Sequence, residues 1–236
     1  MDPAIAAAFD ATWPAAGHAE AGGFRVARAE GAGRRVGSAR AIGPWTPDDI
    51  DAATALHAAW GQIPAFRVDD DDDALIAALS ARGFRRQTPT AIMQIAAGEL
   101  TERAVPQMTV FAVWPPLAIQ RDIWAAGQIG PARQAVMQRA AAPKTALLGR
   151  TGDRAAGTGF AAIHAGVAMV HAVEILPDWR RRGLAAWMMR GAARWARENG
   201  AERLALAVTR ANAPALALYR DLGFTEAGGY AYYVKP

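Results

Sequence analysis

The stretch Val170-His171-Ala172-Val173-Glu174-Ile175-Leu176-Pro177-Asp178-Trp179-Arg180-Arg181-Arg182-Gly183-Leu184-Ala185 runs on through an Ala- and Arg-rich segment to Asn199. Val170, Val173, Ile175 and Leu176 form an apolar run that Pro177 stops, the pattern of a β-strand. Leu184, Trp187, Met188, Gly191 and Trp195 recur at helical spacing until Asn199-Gly200 ends the pattern. Three arginines and a glycine lie between strand and helix. A helix opening presents free backbone N–H groups and the positive end of a dipole. Gly183 removes the side chain that would hold an anion away from those groups, and Arg180, Arg181 and Arg182 add charge beside them. The combination predicts a pocket for a phosphate, or for a diphosphate.

A second pattern follows: Asn212, Ala215, Leu218-Tyr219 and Gly223-Phe224. Together with Arg180-x-x-Gly183-x-Ala185 it resembles the two signatures of the GNAT superfamily of N-acetyltransferases. These are the (Gln/Arg)-x-x-Gly-x-(Gly/Ala) loop and the Asn-x-x-Ala-x-x-Leu-Tyr-x-x-x-Gly-Phe segment. Each alone is weak; both in this order, joined by one helix and one strand, are a strong signal. The resemblance covers roughly Met108 to Pro236. It implies an α/β fold with a mixed sheet, acetyl-CoA as co-substrate, and no metal.

The chain has 236 residues and no cysteine, which leaves no disulfide framework and no thiolate ligand or nucleophile. His18, His57, His164 and His171 show no paired metal-ligand spacing. No apolar run reaches membrane-spanning length and the N-terminus does not read as a leader, so a cytoplasmic protein is expected. The net charge of +4 comes from arginines spread along the chain rather than gathered in one block. That disfavours nucleic acid as the partner; the resemblance implies coenzyme A, with its phosphates, as the anionic one.

Read in order, the first dozen residues form a short helix. Phe24 to Ala29 and Arg35 to Ile42 read as strands joined at Gly31-Ala32-Gly33. Asp48 and Asp49 open a helix to Trp60. Ala65 to Val68 is a short strand. Asp69 to Asp73 lacks the glycine and distal glutamate of a calcium loop and reads as the acidic start of a helix from Ala74 to Arg82. Pro89 to Ile95 is a strand. Gly83-Phe84 echoes Gly223-Phe224: in that register Leu79 stands at the place of Tyr219 and Asp72 at that of Asn212. The first half has no counterpart of the arginine loop. The division expected is a degenerate GNAT-like domain over 1–100 and a catalytic one over 107–236, the first closing one side of a substrate cleft. In the second, Met108 to Trp114 is a strand and Leu117 to Ala142 is helical, broken near Gly127 and Gly130-Pro131. Thr145 to Arg150 and Gly157 to His164 form a hairpin, followed by strands over Val167 to Leu176, Arg203 to Thr209 and within Phe224 to Val234, with a helix over Ala213 to Leu222.

The resemblance assigns roles. Val173 and Ile175 present backbone to the pantetheine arm. Arg180, Arg181, Arg182, Gly183, Leu184 and Ala185 hold the diphosphate. Asn212 and Ala215 are cofactor-binding, Asn212 by a hydrogen bond to the arm, although Asn212 could equally be a helix cap. Tyr219 is the general acid, or else a packing residue. For the general base, Glu174, His171 and a water chain stay open. Strand alternation sets residues 171 and 174 on opposite faces unless a bulge intervenes. Trp124 and Gln128 are acceptor contacts or core and surface residues. The activity expected is acetyl transfer to a primary amine of a small molecule or peptide. The alternative is an acyl-CoA-binding sensor or scaffold without catalysis. No feature fixes the oligomeric state; a homodimer is compatible.

Overall fold

The computed structural model describes residues 1–235; Pro236, the end of the expected second domain, lies outside them. In chain order the elements are α1 (Pro3–Ala11), β1 (His18–Ala21), β2 (Phe24–Ala27), α2 (Arg34–Gly37), β3 (Arg40–Ala41), α3 (Pro47–Ala59), β4 (Ala65–Asp69), α4 (Asp73–Ala81), β5 (Arg85–Ala96) and α5 (Ala97–Thr101). There follow β6 (Val110–Val113), α6 (Ala118–Ala126), α7 (Pro131–Arg139), β7 (Lys144–Thr151), β8 (Arg154–His164), β9 (Val167–Ile175), α8 (Leu184–Glu198), β10 (Arg203–Thr209), α9 (Ala213–Asp221) and β11 (Thr225–Val234). A single 3₁₀ turn, Pro177–Trp179, separates β9 from the arginine loop.

The chain forms two compact units, each discontinuous in sequence, where two contiguous halves were expected. The first contains Met1–Trp13, Ile92–Val208 and Ala213–Ala227; the second contains Pro14–Ala91, Thr209–Asn212 and, of the described residues, 228–235. In the first unit the strands run β5-β10-β9-β8-β7-β6. β6, β7, β8 and β9 are antiparallel neighbours. β9 and β10 are parallel, as the intervening α8 crossover requires. The mixed sheet expected from the sequence is present. Its buried side chains include Leu147, Phe160, Val167, Met169 and Leu206, with Met188, Met189, Ala192 and Ala193 of α8. Glycines let α8 approach closely. A methyl on Gly149 would stand 2.7 Å from Met188 Sδ, and one on Gly191 would stand 2.5 Å from Val110 Cγ1.

In the second unit β11 lies between β4 and β5, pairing antiparallel with β4 from Tyr230↔Asp69 to Val234↔Ala65. Phe24, Val26, Ile50, Phe66, Leu75, Leu79, Phe84 and Tyr233 make its core. No hairpin forms at Gly31-Ala32-Gly33. Instead β1 pairs with β2 around Gly22-Gly23, and the expected strand from Arg35 is the short helix α2 followed by β3. Gly22 has φ +53°, which a two-residue hairpin turn accepts from glycine. Helix α3 starts as its acidic residues suggest: the Asp49 carboxylate accepts from the backbone N–H of Thr46 and of Gly23. Of the five consecutive aspartates, Asp72 caps α4 by accepting from Leu75 N–H, and Asp70 pairs with Arg86 and Arg210.

The internal echo holds bond by bond. Phe84 N–H donates to Leu79 O at 3.1 Å and Phe224 N–H to Tyr219 O at 2.9 Å. Asp72 N–H donates to Asp69 O and Asn212 N–H to Thr209 O. Gly83 and Gly223 both have positive φ, +80° and +92°. The same offset of 140 residues relates Asp70 to Arg210, and these two residues form an ion pair.

Candidate active site

β9 carries the site, and its neighbour β10 leaves it half exposed. The parallel ladder runs from Val167↔Arg203 to Val170↔Leu206 and stops, although β9 continues to Ile175 and β10 to Thr209. At the point of separation β9 bulges. The register with β8 passes from Phe160↔His171 to Thr158↔Glu174, so Ala172 and Val173 together oppose Gly159. Ala172 takes φ +51°, which costs about 1 kcal/mol for a residue with a side chain. A hydrogen bond from Trp124 Nε1 to Ala172 O at 2.8 Å holds the bulge in place. Trp124 is fully buried and braces this strand. Gln128 is exposed, at φ +61°.

The bulge reverses the expected alternation. Phe160 and Thr158 are two residues apart on β8 and share a face, so their partners His171 and Glu174 share it too. Val173 points to the opposite face: a methyl on Gly159 would touch both Val173 Cγ2 and Met188 Cε.

His171 is 2 % exposed beneath α1. Its Nε2 lies 2.8 Å from Thr12 Oγ1, and that hydroxyl donates to Ala8 O, so Nε2 carries the hydrogen and donates to Thr12. Its ring stacks on Phe160 and meets Trp13 at 5.0 Å. These contacts make His171 a satisfied core residue and argue against a base role. Thr12 and Trp13 were not legible as its partners, since nothing local in the sequence links positions 12 and 171.

Glu174 is engaged differently. Arg180 Nη2 donates to Glu174 Oε1 at 3.0 Å, and Arg180 Nε donates to Ile175 O at 2.9 Å. Of the other two loop arginines, Arg182 lies over the Trp179 ring at 4.8 Å and Arg181 is exposed. Arg181 and Gly183 both adopt positive φ, +63° and +79°. Gly183 is the residue before the first turn of α8, with no side chain capping that turn and nothing within 4 Å of where its Cβ would stand. Leu184 is buried under the helix and Ala185 half-buried. The loop therefore offers an uncapped helix mouth, room above it, and guanidinium groups nearby, which suits a diphosphate.

Tyr219, on α9, is 8 % exposed and packs on Phe224 at 5.5 Å between ring centroids. Burial pushes its phenol up to about 12. Among the described residues no hydrogen bond engages its hydroxyl. Ala215 is half-buried on the same helix, and Asn212 is exposed just before it, in the segment belonging to the second unit. Among the described residues no cluster of His, Asp or Glu could hold a metal, and no helix is long and apolar enough to cross a membrane.

The family model described as the acetyltransferase (GNAT) family matches residues 114–224. Streptothricin acetyltransferase from Streptomyces lavendulae is 40% identical over 85 residues, which are 34% of this chain and 43% of that protein. The match thus spans less than half the length of this relative. Among solved structures, a GCN5-related N-acetyltransferase from Kribbella flavida superposes with a TM-score of 0.76 at 22% identity, over 100% of this chain and 96% of the other. A tandem GNAT protein from the clavulanic acid biosynthesis pathway gives 0.62 at 14% identity, over 90% and 78%. At these identities the structures speak for the fold. The sequence match, the bulged and splayed β9 and the open loop at the head of α8 agree, and residues 114–224 are the part of the chain that matches the acetyltransferase (GNAT) family.

Proposed function

We propose that the protein is an acetyl-CoA-dependent N-acetyltransferase that acylates a primary amine. The observation that carries this reading is the pair of openings at the two ends of one strand–loop–helix unit: the ladder that stops at Val170 and the uncapped turn at Gly183. Backbone N–H groups of the 181–184 loop would hold the diphosphate, and the edge of β9 freed by the splay would pair with the pantetheine arm as an added strand would. Bound acetyl-CoA supplies an acyl group activated as a thioester. Unpaired N–H groups on β9 suit negative charge developing on the acyl oxygen. During transfer a nitrogen–carbon bond forms, a carbon–sulfur bond breaks, the nitrogen loses a proton and the sulfur gains one. Tyr219 is the proton donor in this reading. With its phenol at about 12 it stays protonated at neutral pH but is a weak acid, so donation must accompany proton loss from the attacking nitrogen. The nitrogen's proton would leave through water, because His171 is sealed under α1 and Glu174 is held by Arg180.

That same engagement of both base candidates favours a second reading, a protein that binds acyl-CoA without turning it over. Calorimetric titration with acetyl-CoA, then thiol release across an amine panel that includes streptothricin, separates the two. Gly183→Asp, which places bulk and negative charge at the helix mouth, should weaken acetyl-CoA binding ~10²-fold or more. Normal affinity in that variant would show the loop to be misassigned. Tight binding with no thiol release for any amine would establish the sensor.

A further inference from the structure

Glu174 stands where a base would be sought, yet its carboxylate has a fixed place in the architecture. Arg180 grips the end of β9 at two points, side chain to side chain on Glu174 and side chain to main chain on Ile175. The Glu174 side chain is only 17% exposed, against 56% for Arg180. Its other oxygen faces the C-terminal end of α6, where a methyl on Gly127 would come within 2.5 Å of Oε2. Glycine at position 127 lets the helix end lie directly on the carboxylate. Loop and helix thus enclose Glu174 from two sides, and one of its carboxylate oxygens is committed to a guanidinium.

We propose that Glu174 is a positioning residue: it pins Arg180 to the end of β9 and thereby fixes the 180–183 loop over the mouth of α8. Arg180, the first residue of the loop motif, is in this scheme a brace for the loop's shape. The phosphates are left to the backbone N–H groups and to Arg181. The assignment rests on the acetyl-CoA reading for its consequence in binding, though not for its consequence in loop order.

The test uses Glu174→Gln, Arg180→Ala and the double variant of the full chain. Arg181 and Arg182 are exposed and are trypsin sites. Without ligand, Glu174→Gln should be nicked in this loop about tenfold faster than the wild type at equal thermal midpoint, as loss of one charge-assisted hydrogen bond allows. Each single variant should raise the acetyl-CoA dissociation constant about tenfold, and the double variant no more than either. The value of kcat at saturating acetyl-CoA should fall by about two- to threefold, with the acid limb of its pH profile in place. A kcat lower by ~10²-fold with the acid limb lost and binding intact would make Glu174 the base and overturn the proposal. Unchanged nicking in Glu174→Gln would overturn it as well. A wild-type chain with no affinity for acetyl-CoA would sink the function proposed above, while the nicking comparison would still decide whether the pair holds the loop.

Discussion

Tyr219, the donor of the proposed reaction, is also a packed aromatic residue. It lies against Phe224, and burial lifts its phenol from 10.0 to about 12. Tyr219→Phe should keep that packing and remove the proton. Acetyl transfer should fall ~10²-fold, read by thiol release, with the acetyl-CoA dissociation constant within a few-fold of wild type. The same shift has a stability sign. The folded chain keeps the proton where the unfolded chain loses it, so the contribution is whole below pH 10 and is lost as pH rises from 10 to 12. Its size is about 2–3 kcal/mol. Urea unfolding at pH 9 and pH 11.5 should show a shallower alkaline loss in Tyr219→Phe than in the wild type. At this scale Tyr219, Gly183 and the arginines are legible in the sequence by motif spacing. The shared face of His171 and Glu174 is not. That depends on a bulge held by Trp124, which lies 48 residues from Ala172 in the chain.

Helix α8 packs closely on the strands that carry the site. It rests on a floor from which Gly149 and Gly159 remove side chains, with Met188 filling the space, and Gly191 lets it meet Val110. Gly191→Leu should therefore destabilise the first unit by about 1–3 kcal/mol through overpacking, even though leucine suits a helix better than glycine. A lower urea midpoint with unchanged slope would report it. Helices α3, α4, α6, α7, α8 and α9 could be located from sequence because each carries its own signals, such as Asp49 at α3, Asp72 at α4 and Pro131 at α7. In the stretch from β1 to β3 only β2 could, within the strand read over Phe24 to Ala29. The three strands have four, four and two residues, β1 is half polar, and the register is set by Gly22-Gly23 rather than by the more conspicuous glycines that follow.

Across the whole molecule the repeat of β4–α4–β5 by β10–α9–β11 was visible as two Gly-Phe pairs, and the structure extends it to matching hydrogen bonds. The neighbours of β11 were not visible, because strand pairing over such separations leaves no local trace. The second unit also carries a pH sensitivity. His57 is fully buried with Nε2 2.9 Å from Gly37 O, and burial holds it below its usual 6.5. The folded chain stays neutral there while the unfolded chain takes up a proton, so stability is lost as pH falls from 6.5 toward the folded value. His57→Gln keeps a donor for Gly37 and should flatten the difference between unfolding curves at pH 7.5 and pH 5.5. The placement of β11 beside β4 bears on synthesis. The partner of Asp69 is Tyr230, so β4 leaves the ribosome on the order of ten seconds before the strand that covers it. Through that interval the nascent chain presents a bare strand edge, and its yield in a cell should depend on the holdase capacity available to shield it.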